Sequence, residues 1–177
     1  MTTARHFYTG ILVWVYYAWR MDVSIINPFL TATLNLFETM FRITATPGKP
    51  YVMERELGHR WEISGILGVT GDYHGVVAVR LSRVLADKML ERSGIATSSE
   101  GEREDTLYGM IGEMVNIIAG NASSVIKRPL EISPPVVVYG QNHNIAWPRT
   151  IPVVAIPFTT TIGPFEVAVC FKIKDFF

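Results

Sequence analysis

The sequence predicts an α+β fold built on an antiparallel sheet. Phe165, Val167, Val169, Phe171 and Ile173 alternate with Glu166, Ala168, Cys170 and Lys172, the period-two pattern of a half-buried antiparallel strand. Gly71-Asp72 divides two β-rich runs, residues 61–69 and 75–81, as a hairpin turn does. Between the strand-rich parts, residues 105–127 repeat apolar side chains at helical spacing. Strand pairs joined by turns, with long helices between them, are an α+β arrangement.

The composition agrees. The chain has 177 residues, 49% of them hydrophobic, which suits one domain with a real core and excludes a disordered chain. Lys+Arg 16 balance Asp+Glu 16, so the basic surplus that nucleic-acid binding needs is missing. A single cysteine, Cys170, excludes an internal disulfide framework and a Cys-rich zinc site and fits a reducing cytoplasm.

Residues 1–20 differ from the rest: they hold no acid, and Phe7 to Trp19 is an apolar, aromatic run. That run is shorter than the roughly 20 residues a membrane-spanning helix needs. Three readings stay open: upstream sequence read in frame before a natural start at Met21, a membrane anchor or signal, and a docked native extension. The domain proper is 21–177.

In chain order, Asn27-Pro28 reads as an N-cap followed by proline at the first helical position. Phe29, Leu30, Leu34, Phe37, Met40 and Phe41 then form its core stripe. Residues 47–50, Pro-Gly-Lys-Pro, are a turn. The 61–81 hairpin follows, then a short helix over 82–92 stopped near Gly94. Ser99 with Glu102 is a capping box for the next helix. Acids in its first turns and Lys127, Arg128 and Pro129 at its end complete the start and stop signals. Residues 136–139 are a strand. Residues 151–161 are another, and Pro152 and Pro157 place it at an edge or a bulge.

The helix from Asp105 carries the chemistry. Leu107, Met110, Ile111, Met114, Ile118, Ala122 and Val125 gather on a core-facing side. The opposite side holds Asp105, Gly109, Gly112, Glu113, Asn116, Gly120, Ser123 and Lys127. Each glycine costs about 1 kcal/mol of helix stability relative to alanine. Glycine gives a flat strip on which another backbone can come close. Glu113 and Asn116, neighbours at i and i+3, project from its middle. Patterning alone leaves two readings open: a docking face with two reaching side chains, or surface polar residues beside glycines that pack internally.

Residues 112–122, GEMVNIIAGNA, together with MDVSIINPFLTAT from Met21, resemble the CheX-type members of the CheC/CheX/FliY family of chemotaxis phosphatases. The resemblance spans 21–174 and centres on Glu-x-x-Asn, here Glu113 and Asn116. It implies two long helices packed together on the antiparallel sheet, and a homodimer joined through sheet edges. The implied activity is hydrolysis of the aspartyl phosphate on a CheY-like receiver domain in the cytoplasm. Asn116 would orient the attacking water, and Glu113 would pair with the receiver's active-site lysine. No cofactor is implied for this chain; Mg²⁺ would sit on the receiver. The alternative is a non-catalytic receiver-binding or flagellar switch protein of the same fold. Gly109 departs from the family pattern, which often has Asp or Ser four residues before the Glu, and Asp105 lies one turn earlier. A second copy of the motif on the first helix is absent or crippled, because Ala32 stands three residues before Asn35.

Other candidates are weaker. His6, His59, His74 and His143 show no metal-ligand spacing, and His143 reads as part of a turn. Gly65, Gly68 and Gly71 run through a strand into a hairpin, so they do not form a phosphate loop. Asn121-Ala122-Ser123 falls within a helix, Asn121 reads as structural, and Cys170 reads as a structural strand residue.

Overall fold

A computed structural model describes residues 23–53, 61–126, 130–141 and 143–174. The expectations for residues 1–20 and Met21, His59, and Lys127, Arg128 and Pro129 lie outside them. Among the described residues no helix is long and apolar enough to cross a membrane.

The chain forms α1 (Val23–Phe41), β1 (Thr46–Pro47), β2 (Tyr51–Met53), β3 (Ile63–Gly71), β4 (Tyr73–Leu81), α2 (Arg83–Ser93), α3 (Glu100–Ser123), β5 (Leu130–Ile132), β6 (Val136–Tyr139), β7 (Val153–Thr159) and β8 (Pro164–Ile173). All pairings are antiparallel, in the order β1-β7-β8-β4-β3-β5. β2 also pairs with β7, and β6 with β3. The two long helices, α1 and α3, pack together on one face of the sheet. Their apolar stripes meet the alternate strand residues Leu67, Val77, Val79, Val167 and Val169.

α1 already runs at Val23, so Pro28 lies inside the helix rather than opening it. Close to the start the ring removes only one backbone bond, and the buried Phe29, Phe37 and Phe41 hold the helix down. Phe37 stacks on Phe165 with centroids 4.1 Å apart, and Phe158 continues the stack at 4.7 Å. Met40, expected in the core, is 38% exposed on the last turn.

α2 is capped by Ser82, whose hydroxyl accepts from the Leu85 N–H, and ends at Gly94 in the left-handed region at φ 74°. α3 starts where its capping signal places it. The Ser99 hydroxyl accepts from the Glu102 N–H at 3.2 Å, and the Glu102 carboxylate accepts from the Ser98 N–H at 2.7 Å. The Ser98 hydroxyl donates to the same carboxylate, and this bond, ahead of the one from the Ser98 N–H, holds the Glu102 carboxyl below its ordinary range. Ser99→Ala is expected to lower the stability of the protein by about 1 kcal/mol, read from the denaturant midpoint.

α3 ends sooner than the basic and proline signals suggest. It stops at Ser123, where the Ser123 and Ser124 hydroxyls donate to the Gly120 and Asn121 carbonyls at 2.8 Å each. The Gly120 carbonyl also accepts from the Ser124 N–H, whereas the Asn121 carbonyl, which the helix end leaves open, is met by the Ser124 side chain.

Two strand expectations need correction. β7 is not the outermost strand: β1 and β2 pair along its far side. Pro152 precedes the strand, and Pro157 is accommodated because that outer border is broken: between the two short strands the Pro157 carbonyl accepts from the Gly48 N–H at 2.8 Å. β8 is buried on both faces rather than one. Ala168 and Cys170 pack with Ile151, Val153, Met53 and Trp147 on the face away from the helices, and burial pushes the Cys170 thiol up to about 11. Glu166 is buried there because Arg80, its register partner on β4, donates to it, and the Tyr51 hydroxyl donates to its other oxygen at 2.5 Å. The Trp61 and Trp147 rings lie 6.0 and 5.9 Å from the Arg80 guanidinium carbon.

Candidate functional site

The outer strip of α3 is formed by residues that the core stripe leaves over. With Leu107, Ile111, Met114, Val115, Ile118 and Ala122 buried, the helix can turn only one side outward. Glu113 is exposed and Asn116 is half-buried. Among the described residues neither side chain has a hydrogen-bond or ion-pair partner, so a carboxylate and a carboxamide stand side by side with their capacity unspent.

The rest of the strip divides. Asp105 and Gly109 are exposed, and a Cβ added at Gly109 or Gly120 would meet nothing within 4 Å. Gly112 does not belong to the open surface: it is buried, with Pro135 Cγ and Val137 Cγ2 each 3.5 Å from where its Cβ would be. The lead into β6 therefore forms a wall along one flank of the strip. At about 100° per residue Gly112 and Asn116 lean to the same flank, which accounts for Asn116 being less open than Glu113. Ser123 is half-buried and its hydroxyl is turned back to its own helix. Lys127 lies outside the described residues.

That wall is anchored to the sheet. The Ser133 N–H donates to the Gly68 carbonyl at 2.9 Å, and the Ser133 hydroxyl accepts from the Gly68 N–H at 2.8 Å. Farther along β6, Tyr139 stacks on Tyr108 of α3 with centroids 4.2 Å apart. A cleft of about 300 Å³ opens beside this stack, lined by Glu62, Arg83 and Glu104 among others. Burial, ahead of the nearby Glu104 charge, raises the Tyr108 phenol above its ordinary range. The sequence carries no signal for this stack, since Tyr139 reads only as a strand residue.

Among the described residues no three His, Cys, Asp or Glu side chains converge to hold an ion. His143 does more than occupy a turn: its Nε2 lies 2.7 Å from the Ser64 hydroxyl and its Nδ1 2.8 Å from the Gly140 carbonyl. Ser64 is fully buried, so this pair clips the segment after β6 to the sheet and has no access to a substrate. Asn121 is exposed rather than packed, and Asn35 is exposed beside a buried Ala32.

The site therefore offers one carboxylate and one amide on a rigid helix. It can orient a water or a polar group supplied by something that docks on the strip.

Comparison with known proteins gives a family and a fold. The sequence profile described as chemotaxis phosphatase CheX matches residues 63–159. No functionally curated protein matches the sequence. A CheX chemotaxis protein from Desulfovibrio desulfuricans superposes with TM-score 0.76 at 29% identity, covering 86% of this chain and 100% of its own. A CheC-like superfamily protein from Shewanella gives TM-score 0.76 at 26% identity, covering 86% and 99%. CheX from Borrelia burgdorferi, crystallised with CheY, BeF₃ and Mg²⁺, shares the fold with TM-score 0.71 at 22% identity, covering 84% and 97%.

Proposed function

The chain belongs to the CheX family of chemotaxis phosphatases, and on that premise we propose that it hydrolyses the aspartyl phosphate of a CheY-like receiver domain with Asn116 and Glu113. The observation that carries this reading is the unpartnered, outward-facing Glu113–Asn116 pair on a helix strip with open glycine positions on either side of it. The Borrelia relative with its CheY partner is the type of complex the reading asks for.

The chemistry suits so spare a site. An acyl phosphate has a good leaving group, so the reaction needs little general-acid help and gains most from positioning. The strip docks over the receiver's active site, and Asn116 enters it. The amide accepts from and donates to the attacking water and holds it in line with phosphorus. Water adds to phosphorus as the P–O bond to the aspartate breaks, leaving inorganic phosphate and a free carboxylate. Glu113 would repel the phosphoryl group directly; it pairs with the receiver's active-site lysine and fixes the register of docking. Mg²⁺ is held by the receiver. The same reading places the chain in the cytoplasm, as a homodimer.

Glu113→Ala is expected to weaken docking more than chemistry. Loss of one charge-assisted contact, about 1.5–3 kcal/mol, should raise KM for the phosphorylated receiver roughly tenfold or more. Titration of the receiver against wild type and variant tests this. Equal affinity for the two would remove Glu113 from the interface.

A further inference from the structure

We propose that Gly65 is a positioning residue: its missing side chain sets the depth at which the turn bearing Glu113 and Asn116 rests on the sheet. The inference depends on reading that pair as the reactive groups.

On β3 the residues facing the helices are Ile63, Gly65, Leu67 and Val69, three large and buried and one with no side chain. The gap is filled from above by α3. A Cβ at Gly65 would lie 3.0 Å from the Ile111 carbonyl oxygen, 3.1 Å from Ile111 Cγ2 and 3.3 Å from Val115 Cγ1. Gly65 is not among the positive-φ glycines, so the requirement is one of space rather than backbone conformation.

Three features make this contact bear on the site. Ile111 and Val115 are the core-side residues of the turn whose outer side is Glu113 and Asn116. In α-helical geometry the Ile111 carbonyl accepts from the Val115 N–H, so pressure on that oxygen strains the bond that shapes this turn. The strand cannot recede, because Gly65 is paired with Val79 on one side and Val137 on the other. Val137 also flanks Gly112, so a lifted helix would slide the pair along its own wall. A methyl group at position 65 therefore has to shift the helix by a few tenths of an ångström beneath the reacting groups. In-line attack is sensitive to such displacements, whereas docking of a whole surface is less so.

The test uses the full chain with a purified phosphorylated receiver. It compares wild type, Gly65→Ala, Asn116→Ala and, as a control for lost stability, Ile156→Val on β7. Gly65→Ala is expected to lower kcat roughly tenfold with KM little changed and to speed hydrogen exchange at the Val115 amide. Ile156→Val should lower stability without moving kcat. Adding Val115→Ala to Gly65→Ala makes room for the methyl group and should recover part of kcat. Wild-type kcat and wild-type Val115 protection in Gly65→Ala would overturn the proposal. If Asn116→Ala matches wild type, the reactive-pair reading has failed instead, and Val115 exchange alone decides whether Gly65 sets the helix.

Discussion

Asn116→Ala is expected to slow dephosphorylation of the receiver by roughly 10²-fold or more, with KM and thermal stability close to wild type. The asymmetry follows from where the side chain stands. Asn116 is half-buried, and among the described residues it has no partner within its own chain, so its removal leaves no internal group unsatisfied. Alanine also raises helix propensity at that position. What is lost is an amide that both donates and accepts, held on a helix clamped by the sheet below and by Pro135 and Val137 alongside. Asn116→Asp is a useful companion, because it preserves shape but brings a negative charge toward a phosphoryl group and should be no better than alanine. Stopped-time measurement of phosphoreceiver under saturating and limiting receiver separates kcat from KM.

The largest expected effect on stability comes from the other face of the sheet. Glu166→Ala should cost about 3–5 kcal/mol, because it breaks a buried ion pair by removing the carboxylate to which the Arg80 guanidinium donates. Arg80 and Glu166 are each only 3% exposed, so water cannot replace the lost partner without opening the loop that carries Trp147. The Tyr51 hydroxyl loses its acceptor in the same step. For a chain of this size the change corresponds to a fall in Tm of roughly 10 °C. A denaturant midpoint that drops while the m-value holds would identify it as a two-state loss of stability. Turnover below the melting range should stay near wild type, since the pair lies on the sheet face away from α3.

What the sequence made legible was local. Gly94 and Ser99 announce helix ends through a left-handed glycine and a side-chain oxygen that need only neighbours in the chain, and both act as they read; Ser82, read as the first helical residue, is the cap that precedes the helix. Residues 136–139 form β6 as their branched side chains indicate. Glu113 and Asn116 could be placed on one helix side because period alone decides which residues are left over after the core stripe. The misreadings involve distant partners. β8 read as half-buried because Glu166 looks like a solvent residue until Arg80, 86 positions away, is paired with it. Gly112 read as open strip because nothing local tells that Pro135 and Val137 cover it. Pro28 resembles a helix start, but apolar residues before it extend α1 backward.

The central claim is catalytic, and the most direct measurement is the amount of phosphate released from a large excess of phosphorylated receiver by a trace of this chain. Many equivalents of phosphate per molecule, at a rate proportional to the chain added and lowered roughly 10²-fold or more in Asn116→Ala, are predicted. Release at the receiver's spontaneous rate, whatever the amount of chain, would contradict the account and leave a receiver-binding domain without turnover.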